Sequence, residues 1–186
     1  MSNGIKNPNM VALITILAAL CLAVQLSPRP PNVEFTSLLT FSVGFIFGPF
    51  MGIFFGGFIM FVNGFFSPWG FAGLNMPFQM VGMGVAGLIG GLYRRYMQSY
   101  DSAKLCVEVS VLGAFLTVLY DLITNFGVAF SYLIIGMHPT LAMMTAIAYG
   151  APFSLIHVCS NIAVFGIAFS PLIKALNHIP MVKKIG

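Results

Sequence analysis

Charge is nearly missing from this chain. Only 6% of its 186 residues are Asp, Glu, Lys or Arg, and the acids number four. A soluble domain carries about one quarter charged residues. With 59% hydrophobic residues, this composition excludes an ordinary water-soluble fold and fits an integral membrane protein. A net charge of +4 does not form a nucleic-acid-binding patch, because the basic residues sit at the edges of apolar runs. Cysteine is scarce as well. Cys21, Cys106 and Cys159 are widely separated and odd in number, which argues against a disulfide framework or a metal motif. His138, His157 and His178 are too scattered for a metal site. No Walker sequence is present, and neither is a Ser/His/Asp arrangement in a loop context. No cofactor, no metal and no enzyme activity are therefore expected.

What the chain does contain is long apolar runs. A span needs about 20 residues. The runs predict an all-α bundle of six transmembrane helices in a single membrane domain covering 1–186. The spans are expected near 10–26, 35–48, 50–66, 75–93, 105–135 and 152–173. The first run is read as a retained span, because "SPRPPNVEF" is a poor cleavage site for a signal peptide. Gly48-Pro49 divides an apolar stretch too long for one span into a hairpin. The stretch 140–151 fits either a short helix over the bundle or part of a long kinked sixth span. Lys6, Arg94, Arg95, Lys104, Lys174, Lys183 and Lys184 fall on one side of such a bundle and only Arg29 on the other. Both termini are therefore expected to be cytoplasmic.

Topology converts sequence position into depth. Asn63, Asn75, Gln79, Tyr120, Asp121, Asn125, His157 and Asn161 come from four helices and reach the middle or outer half of the membrane. Asp121 with Asn125, and His157 with Asn161, are four apart, so each pair shares a helix face. A charge at the bilayer centre costs at least about 2.5 kcal/mol. Two readings fit such a set. One is hydrogen-bond glue between helices, worth about 0.6 kcal/mol per contact. The other is a polar ligand pocket open to the outside, which the bias toward one leaflet favours. The amides, the acid and the nearby aromatics suit a neutral or cationic ring compound. Thr15, Ala19 and Ala23 form a stripe of small side chains on the first helix. Such stripes let helices approach closely, either inside the bundle or against a partner. The glycine runs "GIFFGG" and "GLIGG" are assigned to internal packing.

The ordered set of a small-residue first helix, the extended loop "PRPPNVEF", the Gly-Pro hairpin "FSVGFIFGPFMGIFFGGFIMFVNGFF" and six spans resembles the S component of an energy-coupling factor (ECF) transporter. The resemblance implies a high-affinity membrane subunit that captures a vitamin or related micronutrient at a prokaryotic plasma membrane. Its expected partners are a vitamin-like small molecule, membrane lipid, a transmembrane T component and two cytoplasmic ATPase subunits, with no nucleic acid. The stripe would dock on the T component. Loops 28–35, 67–76 and 136–150 would cap the pocket, with Arg29, Asn32, Glu34, Trp69 and His138 as cap residues. Two other functions compete: a small proton-coupled secondary transporter with Asp121 and His157 as relay, and an intramembrane enzyme using the same two groups as acid and base.

Overall fold

A computed structural model describes residues 8–97, 103–179 and 182. Among these, all regular structure is helical. There are six α-helices: α1 (Pro8–Leu26), α2 (Thr36–Phe47), α3 (Pro49–Phe66), α4 (Met76–Tyr93), α5 (Ala103–Ile134) and α6 (Pro139–Asn177). A single 3₁₀ turn, Gly73–Asn75, leads into α4. Five of the six are long and apolar enough to cross a membrane.

The exception is α2. Twelve residues make a rod of about 18 Å, well short of a hydrocarbon core of about 30 Å. Its surroundings explain how so short an apolar helix is kept: every residue from Thr36 to Ile46 is buried. Gly48, at φ 96°, turns the chain between α2 and α3, and Pro49 starts α3 where no backbone donor is needed. Arg94 at the end of α4 closes the other side of this corner. Its guanidinium donates to the Ile46 carbonyl at 2.8 Å, one of the last carbonyls of α2.

The glycine runs do pack internally. A Cβ on Gly44, Gly52 or Gly87 would overlap the backbone of a neighbouring helix, and one on Gly90 would overlap the Phe41 carbonyl. Helices α2, α3 and α4 thus meet backbone to backbone. Phe41 faces Phe165 and Phe169 of α6 at 5.5 and 5.6 Å, edge to face, which joins this trio to the α5–α6 pair. Large apolar side chains that remain exposed, such as Phe50, Phe54, Val107 and Ile167, form the outer face of the bundle. That face suits lipid as solvent.

The sixth helix differs from the span expected at 152–173. Residues 140–151 belong to it, and α6 runs unbroken for 39 residues with Pro152 and Pro171 inside. Proline is tolerated in a membrane helix where neighbours satisfy the freed carbonyl. At 1.5 Å per residue α6 is about 58 Å long and α5 about 48 Å, so the hairpin outreaches a bilayer. Ala129, Ala142 and Ala146 form a small core of their own in this hairpin. Most of the expected 136–150 cap loop is therefore helix, and the connection itself is the short turn around Gly136.

Candidate ligand site

The loop between α1 and α2 folds inward. Glu34 is 5% exposed, although it lies outside any helix. The local sequence gives the reason. Glu34 precedes the first turn of α2, where backbone N–H groups have no helical partners. Its carboxylate accepts from Thr36 N at 2.5 Å, from Ser37 N at 3.2 Å and from Ser37 Oγ at 2.6 Å.

Beyond that, Glu34 reaches across the bundle. His157 of α6 lies between two carboxylates, with Nε2 3.3 Å from Glu34 Oε1 and Nδ1 2.8 Å from Asp121 Oδ1 of α5. Only a doubly protonated imidazole donates to two ionised carboxylates at once. Asn161, fully buried one turn along α6, donates to Thr117 Oγ1 at 2.9 Å and lies 3.5 Å from Glu34 Oε1. Burial alone would raise the Glu34 carboxyl. The hydrogen bond and charge of His157, then the Ser37 and Thr36 donors, outweigh it and hold the group at about 2. The loop has a second tie, from Asn32 Nδ2 to the Phe153 carbonyl at 3.0 Å. Asn32 itself sits at φ 60°, a region asparagine enters more readily than most residues.

Above this bridge lies a cavity of about 310 Å³, at the low end of the range for small-molecule sites, about 300–1,000 Å³. Of the residues expected from the sequence, Asn63, Gln79, Tyr120 and His157 line it from the helices. Arg29, Asn32, Glu34 and Trp69 line it from the loops. Asn63 Oδ1 and Gln79 Oε1 are buried without a hydrogen-bond partner. Tyr120 meets the His157 ring edge to face at 5.8 Å.

Five expected residues lie outside the cavity lining. Asp121 and Asn161 stand behind His157 and Glu34. Asn125 turns its amide to Gly150, where a Cβ would collide with it, so the Asp121–Asn125 pair divides between the bridge and a helix contact. Asn75 packs in the same way on Gly127 of α5. His138 is exposed at the start of α6, on the turn of the α5–α6 hairpin.

Three participants escaped the sequence reading. Gln25, in the last turn of α1, is buried, lines the cavity and accepts from Thr36 Oγ1 at 2.7 Å. Its signal was a lone amide at the end of an apolar run. Thr117 lies one turn before Asp121 on the same helix, and Ser67 lines the rim beside Trp69. The small-residue stripe faces outward: Thr15, Ala19 and Ala23 are all exposed, so it does not serve packing among the described residues.

The described residues thus form a six-helix membrane bundle around a polar cavity that the first loop helps to line. A family model described as ECF-type riboflavin transporter, S component, matches residues 6–178, and the chain belongs to that family. Comparisons with curated proteins and with solved structures gave no match. Membership makes this chain a multi-pass, substrate-binding membrane subunit of an ECF transporter for a vitamin.

Proposed function

We propose that this chain captures riboflavin, or a compound sharing its tricyclic flavin ring, from the outer side of a prokaryotic plasma membrane. The family description supplies the vitamin. The observation that carries the reading to this site is the pair of partnerless amide oxygens, Asn63 Oδ1 and Gln79 Oε1, in the wall of the cavity. Buried polar groups are nearly always hydrogen-bonded, so a bound ligand is the natural donor. The flavin ring presents an imide N–H between two carbonyls, and an amide side chain can face either group after rotation. Trp69, Phe71 and Tyr120 supply flat apolar surface for the rest of the ring. Arg29, Asn32, Glu34 and His157 also line the wall, with Asp121 and Asn161 supporting it from behind.

The test is direct. Protein purified in detergent should carry a co-purifying yellow compound identifiable by mass spectrometry, and stripped protein should quench riboflavin fluorescence on titration. A different compound by mass spectrometry, with no riboflavin quenching, would move the assignment to that compound.

The start of α1, the end of α6 and the α4–α5 side of the bundle are cytoplasmic in this reading, and loops 27–35 and 67–75 face out; Lys6, Lys183 and Lys184, on which the orientation partly rests, lie outside the described residues. Transport then needs energy from elsewhere, from a T component and two ATPases. The exposed Thr15–Ala19–Ala23 stripe is the proposed contact with the T component. Ala19→Leu and Ala23→Leu are expected to abolish vitamin uptake in cells while leaving the affinity of the isolated protein within about twofold, since a leucine there would hold a partner helix away. Uptake at the normal rate in both variants would remove the stripe from the docking surface.

A further inference from the structure

Besides Tyr120, three ionisable side chains line the cavity: Arg29, Glu34 and His157. Two of them are committed to each other. Glu34 accepts from two backbone N–H groups and the Ser37 hydroxyl, and it faces His157 and Asn161 as well, so its lone pairs are occupied. His157 has both ring nitrogens engaged by carboxylates. A cationic ligand would find no free carboxylate oxygen in this wall.

Arg29 is different. It forms no ion pair among the described residues. Its guanidinium donates only to carbonyls of its own neighbourhood, Nη1 to Val33 O at 3.1 Å and Nη2 to Gln25 O at 3.3 Å. These two contacts shape the loop and cap the end of α1. They leave the remaining N–H groups unused, and Nε is buried with no partner. A guanidinium has five donors in a planar fork suited to oxyanions. Leaving such a donor buried and unsatisfied costs stability, and a ligand acceptor removes that cost.

We propose that Arg29 is an oxyanion contact at the mouth of the cavity, so that the preferred ligand carries a phosphate or carboxylate on the end facing loop 27–35. This rests on the flavin reading above, and for a flavin it means the phosphate ester of the ribityl chain rather than the free vitamin. The amide-bearing side of the cavity, Asn63 and Gln79, is left for the ring. An arginine–oxyanion contact is charge-assisted and stronger than a neutral hydrogen bond, whereas the free vitamin's terminal hydroxyl is a neutral acceptor.

The experiment compares riboflavin with riboflavin 5′-phosphate on the full chain in detergent, at fixed ionic strength, in wild type, Arg29→Gln and Arg29→Lys. The expected result is a preference for the phosphate ester of about tenfold or more, equivalent to about 1.4 kcal/mol. That preference should fall to near unity in Arg29→Gln and be partly kept in Arg29→Lys, the phosphate ester losing at least about tenfold more affinity than riboflavin in Arg29→Gln. Equal affinity for the two ligands in wild type, or an equal loss for both in Arg29→Gln, would overturn the proposal and leave Arg29 as the cap of α1. Failure of both flavins to bind would remove the flavin reading itself. The oxyanion contact is then decided by inorganic phosphate: saturable thermal stabilisation lost in Arg29→Gln supports it, and no stabilisation overturns it.

Discussion

His157→Ala is expected to weaken riboflavin binding by at least about 30-fold, the largest effect of any single change at the site. The imidazole is 4% exposed and stands between Glu34 and Asp121. Removing it leaves two buried carboxylates facing a void. Truncating one partner of a buried charged pair costs about 2 to 5 kcal/mol, and each 1.4 kcal/mol is about tenfold in affinity. Asp121→Asn should be milder, about tenfold, because the amide oxygen still accepts from Nδ1. This order follows from the central place of His157 in the bridge. Affinity is measured on detergent-solubilised protein that elutes as a single species. A well-folded His157→Ala with wild-type affinity would show that the bridge does not shape the site. Acid acts on the same element. Because the Glu34 carboxyl is held near 2, below its ordinary 4.5, its stabilising contribution is complete above about pH 4.5 and is lost as pH falls through 2.

Gly87→Leu is expected to prevent assembly of the bundle. Gly87 faces Gly52 so closely that even a Cβ would overlap the Gly52 backbone, and backbone atoms have no alternative rotamer. Forcing one methyl into a packed interior costs about 1 to 3 kcal/mol. A leucine must separate α3 from α4, and with them the wall that carries Asn63 and Gln79. The expected outcome is aggregated protein on size exclusion or a thermal midpoint lowered by many degrees. Gly57→Ala is the control. Its Cβ would meet nothing within 4 Å, and it should behave as wild type. Equal behaviour of Gly87→Leu and wild type would show that the helices can part at no cost.

Much of this was legible in order of residues alone. The helix hairpin at Gly48-Pro49 and the packing role of the glycine runs followed from short-range rules. Depth arguments grouped Asn63, Gln79, Tyr120 and His157, which do line one cavity. They could not separate a residue in the wall from one behind it, because depth is one coordinate and rotation about the helix axis is another. Asp121 and Asn161 share the right depth and stand one layer back. Asn75 and Asn125 point at glycines on the neighbouring helix, a choice set by where a Cβ is missing on that helix and invisible from their own sequence. Glu34 was assigned to the loop that caps the pocket, yet it joins α1–α2 to α6. Its sequence signature, an acid three residues before Ser37, is an ordinary helix start and carries no mark of the distant imidazole. Pro152 pointed to the start of a span, and tertiary packing carried the helix through it.

The Glu34–His157 contact joins residues 123 positions apart in the chain. Synthesis delivers α1 and the loop early and α6 last. Until α6 is inserted, Glu34 can satisfy its first donors at the start of α2, but the imidazole is missing and Asn32 has no Phe153 carbonyl to hold it. Closing so long a stretch of chain is also the entropically slowest kind of contact. The roof of the cavity is therefore completed only when the final helix has found its place. The cavity wall draws on α1, the first loop and α6 together, so it is incomplete until all three are in place.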